Sequence, residues 1–276
     1  MKPTPKSALI LADIEGITGV YEKKQCKPLT AEWQEARNLI TADVSAAIAG
    51  LKDAGVEIIH IRDMHATGFN ILPRLLPEKG IRLQQGHHWY PVPLLGHIPE
   101  ADLALMIGWH GAPDQPEAFS PHIFHRDIDW VRLEKKPVSE VEIMAAVLAE
   151  ARIPVALVTA DFPACQRIKE NIPWIRTVTI PKKKTSTKKT ADIQRNIREN
   201  ARTAAENFQS FPCCRKGPWF LESSIRGKIQ EGYFPSAREV LGTLLRQSVF
   251  KGIPAPAIPA ILQGYRYMGC WQNLWN

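Results

Sequence analysis

Cysteine is scarce in this sequence, and its few residues are not spaced for a shared structural role. The five cysteines of the 276-residue chain form an odd number and include no C-x-x-C pair. Disulfide frameworks use an even set of cysteines and thiolate zinc sites use closely spaced pairs, so the sequence argues against both. We expect free thiols at the following positions: Cys26, Cys165, Cys213, Cys214 and Cys270.

Long apolar runs are also missing. No apolar stretch reaches 18 residues, and the short one near the start of the sequence leads directly into acidic residues, unlike a signal peptide. We therefore expect a cytoplasmic protein with no membrane partner. An apolar content of 45% still provides a substantial core, which predicts an ordered globular chain of one large domain or two smaller ones.

Basic clusters are few, although the formal net charge is +7. Much of this charge lies in one run of five lysines over 182–189, beside ordinary mixed-charge segments. Nucleic-acid-binding proteins usually carry basic residues along one helix or interleaved with aromatic residues. We interpret the run as a solvated loop and expect no nucleic-acid partner. Salt-sensitive DNA binding that disappears when the run is neutralised would contradict this interpretation.

Short apolar runs alternate with helical patterns in the first half of the chain, a rhythm typical of α/β folds. In the clearest pattern, over 31–53, apolar residues recur every three or four positions before Gly55 ends the helix. The tail from Gly252 fits no periodic pattern. The predicted elements are strands near 7–12, 56–62, 101–107, 153–160 and 219–221, helices near 31–53, 140–152, 190–209 and 236–249, and an antiparallel hairpin between Trp130 and Val138.

The predicted fold class is α/β, with a mostly parallel central sheet flanked by helices and a smaller α+β C-terminal portion. We predict a metal-binding α/β domain over 1–180 and a smaller portion of helices and strands over 181–276. The sequence contains no clear linker between them. The two portions can therefore pack as one unit.

Two carboxylates follow the first predicted strand. The segment Asp13-Ile14-Glu15-Gly16 comes directly after the apolar run over 8–12. Because alternate side chains of a strand share a face, Asp13 and Glu15 can reach one point. Ionised carboxylates in a buried place are costly unless a cation or a set of donors meets them. The motif therefore predicts a metal site, although Asp13 alone could equally cap a helix after Gly16.

Histidines follow the next two predicted strands. His65 comes just after the strand near 56–62, and His110 comes just after the strand near 101–107. The functional crevice of an open parallel sheet lies outside the carboxyl ends of its strands, so these histidines and the two carboxylates should converge. Taken singly, each histidine would more often be a surface loop residue, and Asp63 could simply fix its loop. Their joint position at strand ends favours a metal.

A carboxylate and imidazole set without thiolates suits Zn²⁺ or a related ion such as Mn²⁺, Co²⁺ or Fe²⁺. Glu140, at the head of a predicted helix, would be a fifth ligand, which exceeds the need of one catalytic zinc and favours two ions. Two metals can hold a hydroxide and polarise a carbonyl, which is hydrolytic chemistry. His122 and His125 lie before Glu140, and a free histidine there could be a general acid or base, or hydrogen-bond an oxyanion.

The order of these motifs resembles peptidase family M55, the zinc-dependent D-aminopeptidases of the DppA type. The resemblance covers most of the chain, and Ile17-Thr18-Gly19 and Gly68-x-Asn70 agree with it. Where the family usually has Ser-His, this chain has an inserted proline, which fixes the local φ. The motifs in order are Asp13-x-Glu15-Gly16, Asp63-x-His65, Gly108-x-His110, Ser120-Pro121-His122 and Ser139-Glu140.

The resemblance implies a dinuclear zinc centre, with Asp13 bridging both ions. It also implies a ring-shaped homo-oligomer, with His122 as the catalytic histidine and His125 as a bystander. A metal-bound hydroxide, or His122 itself, would attack the scissile carbonyl. The implied metal ligands are Asp13, Glu15, His65, His110 and Glu140.

The leading hypothesis from the sequence is a metal-dependent amide hydrolase, an aminopeptidase that releases N-terminal D-residues from short peptides. One alternative is a related amidohydrolase that acts on a non-peptide amide or an acyl amino acid. Another is a dinuclear phosphoesterase, because carboxylate and histidine sites also serve phosphate esters. A non-catalytic oligomeric scaffold is disfavoured, because no ligand of the set is missing.

Overall fold

A six-stranded parallel sheet forms the centre of the protein. The computed structural model describes residues 4–274, with the side chains of 4–269. The strands follow the order β3-β2-β1-β4-β7-β8, and every neighbouring pair is parallel. Their bounds are β1 Ser7–Ala12, β2 Ile58–Asp63, β3 Ile81–Gln84, β4 Leu103–Trp109, β7 Val155–Ala160 and β8 Arg176–Thr179.

Helices cover both faces of this sheet, as the predicted fold class requires. Leu9 and Leu11 of β1 pack into the core beneath α2, α3 and α5. Ala8 and Ile10 face the opposite core beneath α1 and α4, because successive side chains of a strand point to opposite faces. The helix bounds are α1 Ala31–Asp53, α2 Glu140–Glu150, α3 Phe162–Asn171, α4 Thr187–Glu206, α5 Ala237–Gln247 and α6 Ile258–Leu274.

A second, antiparallel sheet of four strands has the order β10-β9-β5-β6. The pairing of β5 with β6 confirms the predicted hairpin. The buried side chains Leu221 and Ile225 of β9 join the core of the first sheet. The outer strand β10 instead exposes Ile229 and Tyr233, which are 73% and 79% accessible. The bounds are β5 Ile128–Leu133, β6 Lys136–Pro137, β9 Trp219–Ile225 and β10 Lys228–Phe234.

The C-terminal portion packs directly on the first. Helix α4 crosses α1 at Gly50, where an added Cβ would lie 2.1 Å from the carbonyl oxygen of Arg198. Strand β9 pairs with β5. The division at residue 180 stays a prediction. No helix within residues 4–274 is long and apolar enough to cross a membrane.

The expectation that the tail has no periodic element is wrong, because it forms helix α6. Pro259 lies in the first turn of this helix, where a missing backbone N–H costs nothing. The buried side of α6 is narrow and includes Ile258 and Leu262, which makes its periodicity weak. The side chain of Trp271 and all of Trp275 lie outside the described residues.

The lysine run is not simply a solvated loop. Lys183 and Lys184 are exposed, but Lys182 turns inward, and its Nζ donates a hydrogen bond to the carbonyl oxygen of Ile17 at 3.0 Å. The ammonium group also lies 5.0 Å from the ring centroid of Phe119. Burial lowers the pKa of Lys182 to about 8. Sequence alone could not show this, because the partners of Lys182 are distant in the chain.

Candidate metal centre

Two backbone hydrogen bonds join the segments at the carboxyl ends of β1 and β4. The N–H of Asp13 donates to the carbonyl of Ile107 at 2.8 Å, and the N–H of Gly16 donates to that of Gly108 at 2.7 Å. A Cβ on Gly16 would lie 1.8 Å from the carbonyl oxygen of Trp109, and one on Gly108 would lie 2.2 Å from that of Asp13. Both positions therefore require glycine, and Gly108 also has a left-handed φ of +83°.

The predicted ligands converge at this joint. In two groups of three residues the candidate ligand atoms lie within 4.8 Å of one another, and His110 belongs to both groups. His65 lies beside them, with its Nε2 at 3.2 Å from Oε1 of Glu15. The two groups are Asp13, His110 and Glu140, and Glu15, His110 and His122.

Glu140 reaches the centre from the first turn of α2. Ser139 caps this helix by accepting the N–H of Val141, and Glu142 accepts the N–H of Ser139 at 2.8 Å. Oε1 of Glu140 accepts the N–H of Phe124 at 2.6 Å. The same oxygen lies 3.6 Å from Nε2 of His110. The capped helix end thus fixes a carboxylate against the histidine, and a helix N-terminus favours negative charge.

Backbone carbonyl groups fix the rings of two histidines of the centre through their Nδ1 atoms. Nδ1 of His110 lies 2.9 Å from the carbonyl oxygen of Gly111, and Nδ1 of His122 lies 2.9 Å from that of Ser120. A carbonyl oxygen only accepts, so each Nδ1 carries the proton and donates it. In a neutral ring Nε2 then has a free lone pair. For His110 this lone pair faces Oδ2 of Asp13 at 3.5 Å.

For His65, the side-chain amide oxygen of Asn70 takes the place of the backbone carbonyl oxygen that fixes the other two rings. The amide Nδ2 of Asn70 donates to Oδ1 of Asp63 at 2.7 Å and to the His65 carbonyl at 2.8 Å. Its Oδ1 accepts the indole N–H of Trp33 at 2.8 Å and lies 3.2 Å from Nδ1 of His65. Asp63 also accepts the backbone N–H of Ile71 at 2.8 Å. Asp63 therefore fixes the loop, as one interpretation of the sequence predicted, while Asn70 orients the imidazole.

The substitution Asn70→Ala is expected to weaken metal binding by about 10–100-fold, because partners that orient a ligating histidine contribute this much. Competition with a chromophoric chelator measures the effect. Asn200→Ala is the matched control, because the half-buried amide of Asn200 bonds to Asn196 and Arg176 and takes no part in the candidate metal centre. An unchanged affinity in Asn70→Ala would contradict the orienting role.

The carboxylates of the centre are not balanced by protein charges alone. Burial, followed by the charges of Glu15 and Glu140, raises the pKa of Asp13 well above its ordinary value. Burial also opposes the ionisation of Glu15, but the imidazoles in their protonated form, His65 first among them, hold its pKa well below the usual range. In the protein alone, a proton on Asp13 therefore relieves the repulsion between carboxylates. A bound cation would remove the need for that proton.

The residues present fit a metal centre. Oε2 of Glu15 is buried and has no hydrogen-bond partner within the side chains that the structure describes. Two imidazoles and three carboxylates form two overlapping groups, and the imidazole of His65 lies beside Glu15. Imidazoles and carboxylates are the donors that zinc and related divalent ions prefer. Exposed acidic clusters often occur without an ion, but here Asp13, Glu15 and His110 are at least 95% buried. Burial without compensation would be costly for such groups.

His122 reaches the centre despite Pro121. The turn is made at Ser120, which has a left-handed φ of +54°. The ring of His122 stacks on that of His110, with 4.3 Å between centroids and 8° between planes. Burial, and then the neighbouring His110, lower the pKa of His122. The inserted proline thus does not displace the histidine from the site.

Residues 7–230 match the sequence model of the D-aminopeptidases of peptidase family M55. The chain belongs to peptidase family M55. A relative described as a D-aminopeptidase, from Bacillus subtilis strain 168, is 24% identical over 172 residues. That alignment covers 61% of this chain and 61% of the relative, so it spans less than two thirds of the relative's length.

A solved M55 structure has the same fold. It is described as the zinc-dependent D-aminopeptidase DppA from Bacillus subtilis, a self-compartmentalizing protease. The TM-score is 0.78 at 17% sequence identity, over 90% of this chain and 100% of the solved chain. The match confirms the predicted α/β fold class, and the family match confirms the resemblance of the motifs.

Sequence reasoning missed the apolar half of the site in this M55 protein. A cavity of about 320 Å³ opens beside the ligand cluster, and its far wall comes from the region of α5 and α6. This wall lies beyond residue 230, where the family match ends. His87 and His125 also line the cavity. Burial lowers the pKa of His87 to about 4, so this imidazole is neutral near pH 7.

Proposed function

We propose that this chain is a metal-dependent amide hydrolase, an aminopeptidase that removes N-terminal D-amino acids from short peptides at a dinuclear zinc centre. The observation that carries the proposal is the buried cluster in which Nε2 of His65 and Nε2 of His110 face the carboxylates of three acidic residues. They are Asp13, Glu15 and Glu140. Membership of family M55 supports the same activity. The zinc dependence described for the Bacillus subtilis protein supports the choice of metal.

In this proposal Asp13 bridges the two ions, as the family resemblance implies. Its position supports this role, because Asp13 groups with His110 and Glu140 while its carboxyl also interacts with that of Glu15. His65 and His110 complete the set, each with Nε2 directed at a carboxylate. Mn²⁺, Co²⁺ and Fe²⁺ bind the same donor types, so metal analysis must choose among them.

Bound ions would supply Lewis-acid polarisation of the scissile carbonyl and a nucleophile at neutral pH. During hydrolysis the oxygen of water adds to the carbonyl carbon, the C–N bond breaks, and the departing amine gains a proton. His122 can move that proton, because its Nδ1 is committed to Ser120 while its Nε2 is free and faces the centre. The lowered pKa of His122 keeps the ring able to accept a proton.

The direct test combines metal analysis with peptide hydrolysis. We expect two transition-metal ions per chain, release of D-alanine from D-Ala-D-Ala, and loss of this activity after chelation with recovery on zinc addition. The same peptide with L-residues should be cut slowly. A p-nitroanilide series against p-nitrophenyl phosphate separates an amidase from a phosphoesterase. Protein that holds no transition metal, or that is indifferent to chelator, would defeat the proposal.

We also infer that the chain assembles into a ring-shaped homo-oligomer. The solved relative is described as self-compartmentalizing. In this chain β10 is an edge strand with Ile229 and Tyr233 exposed on it, and an open apolar edge is unfavourable in an isolated protein. Light scattering coupled to size exclusion measures the assembly. A monomer at micromolar concentration would contradict it.

A further inference from the structure

Two cavities of opposite character meet at the ligand cluster. The cavity of about 320 Å³ lies on one side, and a second, open cleft of about 650 Å³ lies on the other. They share Glu15, His65 and His122, so a molecule bound at the centre can extend into both. The two cavities differ in the chemistry of the groups that line them. A bound substrate therefore has one preferred orientation across the centre.

The smaller cavity has an apolar wall formed by α5, α6 and the segment between them. Leu245 and Phe250 are almost fully buried in this wall, and Trp89 supports Phe250 edge-on at 5.4 Å between ring centroids. From α6, Ile261 and Tyr265 face the same space. No lysine or arginine is among the described residues that line it. A carboxylate that reaches this wall would therefore find no lysine or arginine among the described lining residues.

Helix α6 is held against two loops, one that follows β2 and carries Phe69 and one that follows β3 and carries His88. Nη1 of Arg266 lies 3.0 Å from both ring nitrogens of His88. An added Cβ on Gly269 would lie 2.2 Å from the ring of Phe69, so the helix and the first of these loops are in close contact. The apolar wall is thus part of the folded protein near the ligand cluster. It can act as a fixed boundary of the cavity.

The larger cleft is basic. Four cationic side chains line it, and one of them, Lys24, is already paired with Glu22 and Glu32. Lys23 and Arg126 are exposed cations on the same side of the centre. Such a cleft suits a carboxylate at the end of a short peptide. The four cations are Lys23, Lys24, Lys27 and Arg126.

The geometry points to a substrate class: short peptides with a free C-terminal carboxylate whose N-terminal residue carries a branched aliphatic or aromatic side chain. That side chain fills the apolar cavity, and the carboxylate end extends into the basic cleft. The inference rests on the proposed peptidase function and adds its selectivity. The α5 and α6 residues of the wall that sets this selectivity lie beyond residue 230, where the family match ends.

The test compares D-Ala-Gly, D-Leu-Gly and D-Phe-Gly as substrates of the zinc-loaded protein. We expect kcat/KM to be at least about tenfold higher for the larger residues, because each methylene in an apolar pocket is worth about tenfold or more. The variant Ile261→Trp should lower the ratio of kcat/KM for D-Leu-Gly to kcat/KM for D-Ala-Gly by at least about tenfold, because the indole fills the cavity. Tyr267→Trp is the matched control, since Tyr267 is 64% exposed on the same helix.

Binding gives a readout that does not need turnover. Calorimetry should show tighter binding of D-leucinamide than of D-alaninamide, with the difference lost in Ile261→Trp. D-Leu-Gly should also be preferred over its C-terminal amide by about two- to fivefold, and Arg126→Gln should reduce that preference. Hydrolysis without any size preference would overturn the inference and leave the proposed function standing. Selective binding without hydrolysis would overturn the function and support the cavity assignment.

Discussion

The variant Asp13→Ala is expected to lose both metal ions and to lower kcat/KM by at least about a thousandfold, equivalent to about 4 kcal/mol of transition-state stabilisation. Asp13 is buried, and its Oδ2 lies 3.5 Å from Nε2 of His110. A bridging carboxylate holds both ions, so its removal should affect both together. The Nε2 atom of His65 faces the carboxylate of Glu15. Removal of His65 should therefore affect one ion more than the other.

The measurement is metal content by mass spectrometry alongside peptide hydrolysis. Asp161→Asn is the matched control, because Asp161 is also a buried aspartate at the carboxyl end of a strand of the same sheet. Its two oxygens accept the backbone N–H groups of Ala164 and Phe119, so it has no role at the centre. Two ions retained in Asp13→Ala would contradict the bridging role, and loss of metal in the control would indicate a general folding defect.

The variant His122→Ala is expected to retain its metal and to lower kcat by about 10²–10⁴-fold, the usual contribution of a general acid or base. Its Nδ1 proton is donated to the carbonyl of Ser120, and its ring forms a group with candidate ligand atoms of Glu15 and His110 that lie within 4.8 Å of one another. This geometry suits proton transfer at the centre. It would also suit a metal ligand, so metal content decides between the two roles.

His125→Ala is the control for this prediction. His125 lines the same cavity, but it is exposed, and its Nδ1 accepts the N–H of Asp127 at 3.2 Å. We expect less than about a threefold change in kcat for this bystander, as is usual for surface substitutions. If His122→Ala loses one ion while His125→Ala keeps both, His122 is a ligand rather than the catalytic histidine. If His125→Ala has the larger effect on kcat, His125 is the catalytic histidine and His122 is the bystander.

The sequence predicted the strands that carry the site because their apolar runs are continuous and buried on both faces. β1 and β4 have this pattern, and the polar residues that follow each run mark its end. Since the strands are parallel and adjacent, these ends meet at one edge of the sheet. The positions of Asp13, Glu15, His65 and His110 follow from this rule.

Other elements left little trace in the sequence. The edge strands β3 and β8 have four residues each, too few for a clear periodicity. Helix α3 contains Pro163 in its first turn and is polar on most of its surface. The cavity wall and the Asn70 network depend on contacts between distant parts of the chain. Such contacts are set by packing and not by local pattern, so the sequence alone could not place them.

The joint between Gly16 and Gly108 has a consequence for how this site can change during evolution. Because backbone atoms at the ends of β1 and β4 touch there, the distance between the two strand ends is independent of the side chains of the candidate ligands. Ligands can therefore be exchanged one at a time without displacing their neighbours. Single substitutions among the candidate ligands can change which ion the site prefers, whereas neither glycine can be replaced without moving a strand end.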